Sequence, residues 1–283
     1  MECIHRSESG WSELYRYDRD GRFRVLKALK PQFRGNPLYE ELLRKEYEIG
    51  YSLSHPCICE VYGFSSVAGL GNAIEMEWVD GSTLAALMEA KRIGPAEARS
   101  IALQLCDALS YLHSRQIVHR DIKPSNILIT HNGRNVKIID FGLSDSDSFS
   151  ILKGAAGTRS CAAPELLAGE SGDWRADIWS LGAILRVLLP SRAGIARKCM
   201  AKDPSGRYRD ASDVAAAIRR RSLWWILPFA IAIATAIAGA VIWFLADKPD
   251  VAAPVEPEED TVSTVTDPAV IDELFRQATD MLE

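Results

Sequence analysis

Basic residues almost vanish from the end of this chain. Residues 247–283 carry 2 Lys+Arg against 11 Asp+Glu, whereas residues 1–246 carry 31 against 27. The net charge of -5 therefore belongs to the tail, and with no long basic run anywhere, nucleic acid is excluded as the main partner. The six cysteines, Cys3, Cys57, Cys59, Cys106, Cys161 and Cys199, all precede residue 223. Cys57-Ile58-Cys59 is too tightly spaced for a usual zinc knuckle and has no second pair nearby, so free thiols in a reducing compartment are expected. Glycine is scarce at the start, where Gly10 stands alone in the first 20 residues. The opening MECIHRSESGW also lacks an apolar run, and no cleavable signal peptide is expected. At 283 residues the chain can hold one substantial domain or two small ones.

Charge is missing altogether from residues 223–246, LWWILPFAIAIATAIAGAVIWFLA. A helix of that length is about 36 Å long, enough to cross a hydrocarbon core of roughly 30 Å with some tilt. Trp224 and Trp225 stand at one end and Trp243 at the other, where indole favours the headgroup boundary. Arg219, Arg220 and Arg221 flank the first end, and acids flank the second. The expectation is a single-pass cell-membrane protein, with residues 1–222 in the cytoplasm and 247–283 outside it, and the lipid bilayer as a partner.

Residues 21–31 alternate and end at Pro31, which reads as a strand. From Leu38 to Leu53 the apolar positions Leu42, Leu43, Ile49 and Leu53 fall near helical spacing. Residues 59–64 and 73–79 read as strands, so the first 80 residues predict a small sheet with one helix. Helices are predicted at 95–114, with Pro95 in the first turn, and at 177–189, 192–201 and 211–221. Residues 247–266, rich in Pro, Thr and acids, predict a flexible linker. In 267–283, Val270, Ile271, Leu274, Phe275, Ala278, Met281 and Leu282 form one helical stripe, suited to a partner, a second copy of the chain or the membrane face.

The most informative segment is Val118 to Ile129, VHRDIKPSNILI, followed after ten intervening residues by Asp140-Phe141-Gly142. Two acids, a lysine and an asparagine at these offsets can hold a nucleotide's metal ions and orient an incoming hydroxyl. Other segments follow in order: Arg24-Val25-Leu26-Lys27, Glu46 within a charged helix, Met76-Glu77-Trp78-Val79, Ala163-Pro164-Glu165, Asp177-Ile178-Trp179-Ser180-Leu181-Gly182, and Arg207. The set resembles the protein kinases of the serine/threonine class, specifically the membrane-anchored bacterial ones, over about 215 residues of the chain.

The resemblance implies an α+β fold of two lobes: a small sheet lobe with one main helix, and a helical lobe. It implies ATP and Mg2+ or Mn2+ as cofactors and protein serine or threonine hydroxyls as substrate. Lys27, held forward by Glu46, would contact the phosphates; Lys30 abuts Pro31 and is out of register. Asp140 and Asn126 would bind metal, Asp121 would take the hydroxyl proton, and Lys123 would steady the transferred phosphate. Gly10, Val25, Lys27, Met76, Glu77, Val79 and Leu128 fall at ATP-binding positions, with Met76 the gatekeeper. Thr158 falls at a substrate-positioning site. His119, Arg120, Phe141, Gly142, Glu165, Asp177 and Arg207 take structural roles. Ser144, Ser146, Ser148 and Ser150 are candidate phosphosites, whose phosphate Arg120 would pair with.

Two departures stand out. The phosphate-loop register, Ser7-Glu8-Ser9-Gly10-Trp11-Ser12, has serines where the family prefers glycines, and the strand before it is expected to be short or missing. Only 24 residues separate Gly182 from Arg207, a span in which the family usually has more helix for docking protein substrates. These departures keep an alternative in view, a membrane-anchored pseudokinase that binds nucleotide or partners as a scaffold.

Overall fold

In the computed structural model, residues 1–6, 10–141, 161–170, 172–220 and 226–246 are described. Residues 1–221 form one compact unit and residues 222–283 a second.

The first unit opens with the strands β1 (Glu2–Arg6), β2 (Ser12–Arg19) and β3 (Arg22–Leu29). After a 3-10 turn at Pro31–Phe33 comes helix α1 (Pro37–Tyr51), then β4 (Val61–Val67) and β5 (Gly71–Glu77). They build an antiparallel sheet in the order β1-β2-β3-β5-β4. Central β3 is buried on both faces from Val25 onward, Lys27 included: Leu29 packs with Leu43 of α1, and Leu26 and Ala28 pack with Leu70 and Ala73. The strand before the phosphate loop, expected to be short or missing, is a five-residue edge strand. All five of its residues are exposed, and its pairing with β2 skips Ile4, a β-bulge.

Asn36 starts α1 by accepting the Leu38 amide at 3.1 Å, and Pro37 supplies a preset first turn. The buried face of α1 is Leu42, Leu43, Glu46 and Gly50, so helical spacing turns one acid into the lobe. From the end of α1 the chain runs along the helical lobe. The Cys59 amide donates to Ile138 O at 2.9 Å, and the Ile138 amide donates to Cys57 O at 2.8 Å.

The helical lobe is built on α3 (Pro95–Ser114), preceded by β6 (Gly81–Thr83) and a short α2 (Leu84–Glu89). Ile101, Leu105, Leu109 and Leu112 on α3 are wholly buried. They meet α5 (Arg175–Leu188) and a hairpin of β7 (Ile127–Thr130) and β8 (Val136–Ile138), which joins β6 in a three-stranded sheet. A short α4 (Pro164–Leu167) precedes α5; α6 (Ala193–Cys199) and α7 (Ala211–Arg219) follow it. Only Leu189 and the turn Pro190–Arg192 separate α5 from α6, which is where the 24-residue span saves length. Gly182 lets the two helices meet: a Cβ there would lie 2.5 Å from Cys199 Cβ.

The second unit is described over helix α8 (Ile226–Ala246), whose 21 residues carry no charge. Its side-chain environment is described over residues 231–244, which are exposed. Among the described residues no helix is long and apolar enough to cross a membrane. The expected linker 247–266 and the amphipathic segment 267–283 lie outside the described residues.

Arg207 closes the helical lobe with a two-pronged pair to Glu165, at 2.6 and 2.8 Å, and donates to Arg175 O at 2.8 Å and Ala201 O at 3.0 Å. The Arg207 side chain is wholly buried and that of Glu165 largely so, and losing the acid strands the arginine's charge. Arg207→Ala is expected to cost about 3–5 kcal/mol of unfolding free energy. Urea denaturation followed by circular dichroism measures it, and an unchanged midpoint would deny the pair its structural role.

Candidate active site

The cleft between the lobes collects charged residues from four separate segments. Lys27 on β3 is 5 % exposed, and its Nζ donates to Glu46 Oε1 at 2.6 Å and to Asp140 Oδ1 at 2.9 Å. Lys30, past the end of the strand, instead bonds through its amide to Trp11 O at 2.9 Å. Lys27, the lysine singled out from the sequence, is the one the structure brings together with Glu46 and Asp140. Burial alone would lower the Lys27 pKa, but the charges of Asp140 and Glu46 outweigh it and hold the ammonium protonated. The indole of Trp11 lies over the same ammonium, 5.3 Å from ring centroid to Nζ.

The second group sits on the loop after α3. Asp121 receives Lys123 Nζ at 2.7 Å and Asn126 Nδ2 at 2.9 Å. Burial raises the Asp121 pKa, while Lys123 pulls it back. Asn126, in the 3-10 turn Pro124–Asn126, spends its amide nitrogen on Asp121, at Oδ2 and also at the main-chain oxygen at 3.0 Å. Its carbonyl oxygen remains the group with lone pairs to offer. With the Asp140 carboxylate, whose side chain is 42 % exposed, that makes a pair of hard oxygen donors suited to Mg2+.

The loop is held from beneath. Asp177, wholly buried in the first turn of α5, accepts the amides of His119 and Arg120, each at 2.8 Å, and faces His113 Nε2 at 3.0 Å. Burial would raise the Asp177 carboxyl, yet the bond from His113 and the nearby histidine charges hold it below the usual range. Arg120 adopts φ 60° and Asp140 φ 72°, left-handed conformations that side chains rarely take. At Arg120 the two amide bonds offset that strain. Phe141 is buried, with its ring 5.1 Å from that of His119.

On the nucleotide-base side, Val25 and Val79 are buried, and half-buried Leu128 pairs with Thr83 across β6 and β7. Val25 pairs with Met76, and Met76, Glu46, Cys59, Ile139 and Phe141 help line a small recess behind them. The Glu77 side chain is taken by Lys137 at 2.8 Å, and its amide donates to Glu60 O at 2.9 Å. Gly10 is described, whereas Ser7 to Ser9, Gly142, Ser144, Ser146, Ser148, Ser150 and Thr158 lie outside the described residues. His113 and Trp11 were not singled out from sequence as site residues. The last-turn position of His113, six residues before His119, and an aromatic beside Gly10 were the available signals.

Away from the cleft, His55, Cys57 and Asp107 bring ligand-type atoms within 4.8 Å of one another. The Cys57 amide donates to His55 Nδ1 at 3.1 Å, which assigns the ring proton to Nε2, 3.3 Å from Asp107 Oδ2. A ring so protonated offers Asp107 a hydrogen bond rather than a lone pair to a cation, in keeping with the free thiols expected.

Residues 9–211 match the protein kinase domain. The chain belongs to the protein kinase family. A probable serine/threonine-protein kinase of Streptomyces coelicolor is 36 % identical over 194 residues, covering 65 % of this chain and 29 % of that protein. The serine/threonine-protein kinase PknB of Mycobacterium leprae is 31 % identical over 238 residues, covering 69 % of this chain and 38 % of its own length. The chain thus spans less than two fifths of these curated relatives. The crystal structure of the Mycobacterium tuberculosis PknI kinase domain superposes with a TM-score of 0.60 at 25 % identity, over 77 % of this chain and 93 % of that one. The family's two-lobed fold is therefore present, and the family uses ATP with a divalent metal.

Burial pushes the Glu46 carboxyl up to about 7, against the pull of Lys27 and with Asp140 adding to the rise. With the folded value above the ordinary 4.5, this contribution to stability is complete below pH 4.5 and is lost as pH rises through about 7. Glu46→Gln, which cannot ionise, is expected to flatten the fall in nucleotide-free stability across that window, by no more than about 3 kcal/mol. Melts of wild type and variant between pH 4.5 and 8 decide it; parallel curves would place the Glu46 carboxyl near its ordinary value.

Proposed function

We propose that this chain is an ATP-dependent protein serine/threonine kinase anchored in a membrane. The observation that carries the reading is the completeness of the cleft: Lys27 bonded to Glu46 and Asp140, beside Asp121 bonded to Lys123 and Asn126. A pure scaffold needs neither buried pairing nor an oriented Asp121, and only the serines near Gly10 and the short helical lobe speak for it. The serine/threonine class follows from Lys123 two residues after Asp121 and from the names of the relatives.

In this reading Lys27 binds ATP phosphate oxygens, fixed at the correct depth by Glu46. Asp140 and Asn126 would hold Mg2+, which supplies neutralising charge at the phosphates. Asp121 accepts a hydrogen bond from the substrate hydroxyl and takes its proton. Its buried, raised carboxyl is a better base than a solvated one. Lys123, already against Asp121, faces the charge that develops on the moving phosphoryl group, so most of the rate comes from position and fixed charge. Thr158 would help to orient the hydroxyl. A phosphate on Ser144, Ser146, Ser148 or Ser150 would pair with Arg120 and order its segment.

Membrane anchoring rests on residues 223–246, which carry no charge, on their flanking tryptophans and on Arg219 to Arg221. The catalytic unit would then be cytoplasmic and the acidic tail outside. A second copy, or a partner in the membrane, is a natural use of the stripe in 267–283.

The purified full chain, given ATP, Mg2+ and a generic basic protein, should transfer phosphate to serine or threonine. Lys27→Met and Asp121→Asn should each lower the rate by at least about a thousandfold while the fold is kept. Transfer at the wild-type rate by either variant would reject the assigned roles. For topology, protease added to intact cells should remove only the tail beyond residue 246; digestion of residues 1–221 would reverse the orientation.

A further inference from the structure

We propose that Trp11 is a positioning residue for Lys27, its indole face bracing the ammonium so that Lys27 stays in place when Asp140 turns toward a metal ion. This deepens the reading of the cleft as an ATP site and rests on it. Lys27 Nζ touches two carboxylates and one π-face: Glu46 at 2.6 Å, Asp140 at 2.9 Å and the Trp11 ring at 5.3 Å. They differ in their freedom to leave. The Glu46 side chain is 5 % exposed and set on α1, whereas that of Asp140 is 42 % exposed. Phosphate and metal therefore arrive from the Asp140 side, and binding them breaks the Lys27–Asp140 bond. Lys27 is then left buried between Glu46 and the indole.

Trp11 is equipped to stay. It packs with Leu29, Leu43 and Phe33, and its ring lies 6.4 Å from that of Tyr39 at the start of α1. Its carbonyl accepts the Lys30 amide at 2.9 Å, and Ser12 next to it pairs with Leu29 in the β2–β3 ladder. The indole is thus fixed both to the helix that carries Glu46 and to the strand that carries Lys27. An aromatic face within about 6 Å of a desolvated ammonium stabilises its charged form, and leucine at the same place fills the volume without supplying that face.

The test is affinity for a fluorescent ATP analogue with Mg2+, measured on the full chain. Trp11→Leu is expected to weaken binding about 2- to 30-fold, and Trp11→Phe, which keeps a π-face, to stay within about threefold of wild type. In a Lys27→Met background Trp11→Leu should cause no further loss, because its partner is gone. Should Trp11→Leu not fold, Tyr39→Leu, which removes the ring beside the indole, serves in its place, with a smaller loss that also vanishes without Lys27. An equal loss with and without Lys27, or Trp11→Phe as weak as Trp11→Leu, would overturn the proposal. So would a Trp11 series that binds like wild type. Failure of the wild-type chain itself to bind the analogue would instead overturn the kinase reading.

Discussion

One carboxylate with no exposed surface carries the catalytic loop. An ionised group removed from water costs several kcal/mol unless donors replace its hydration, and Asp177 has three: two main-chain amides and an imidazole. Its place in the first turn of α5 adds the favourable end of a helix dipole. Because the amides belong to His119 and Arg120, satisfying this buried charge and shaping the loop before Asp121 are the same event. The backbone at Arg120 takes an unfavourable conformation to reach it. The loop is therefore tied to the core of the helical lobe, on which α3 and α5 converge.

The other half of the cleft works on the opposite principle. Lys27, Glu46 and Asp140 sum to one negative charge, so the cluster is left under-neutralised without a bound cation. Burial raises Glu46, with Asp140 adding to the rise, and the two carboxyl groups keep Lys27 protonated. The surplus of acid over base gives the site an intrinsic demand for positive charge near Asp140, the most exposed of the three. In the proposed reading the loop presents Asp121 as base in a fixed place, while the cluster changes partners as the nucleotide enters, and catalysis by positioning would draw on both.

The loop residues were legible because the chemistry demands them at fixed offsets on a continuous stretch. Asp121, Lys123 and Asn126 contact one another across only five residues. Helix 95–114 was legible to the residue, since Pro95 marks its start and its apolar face is long. Strand ends shifted by two or three residues: 59–64 became Val61–Val67 and 73–79 became Gly71–Glu77. Alternation reports a buried face, and ladder pairing rather than alternation decides where a strand stops. Strand β1 escaped because all its residues are exposed, which leaves no alternation to read. Trp11 and His113 escaped for another reason. Their partners, Lys27 and Asp177, are 16 and 64 residues away, and no local pattern encodes such a meeting.

The skipped residue in β1 has a consequence for how this protein behaves among copies of itself. An exposed edge strand of five residues is a template on which another chain could add. Ile4 breaks the ladder, so Glu2 faces Arg16 while Arg6 faces Glu13, three positions along β2 rather than four. Odd spacing puts Glu2 and Arg6 on opposite faces of the sheet. A second β1 laid antiparallel would have to match Glu2 with an Arg6 projecting from the wrong side. The same kink that spoils this match bends the edge away from straight fibrillar stacking, so one residue left out of the ladder works against strand addition at this edge.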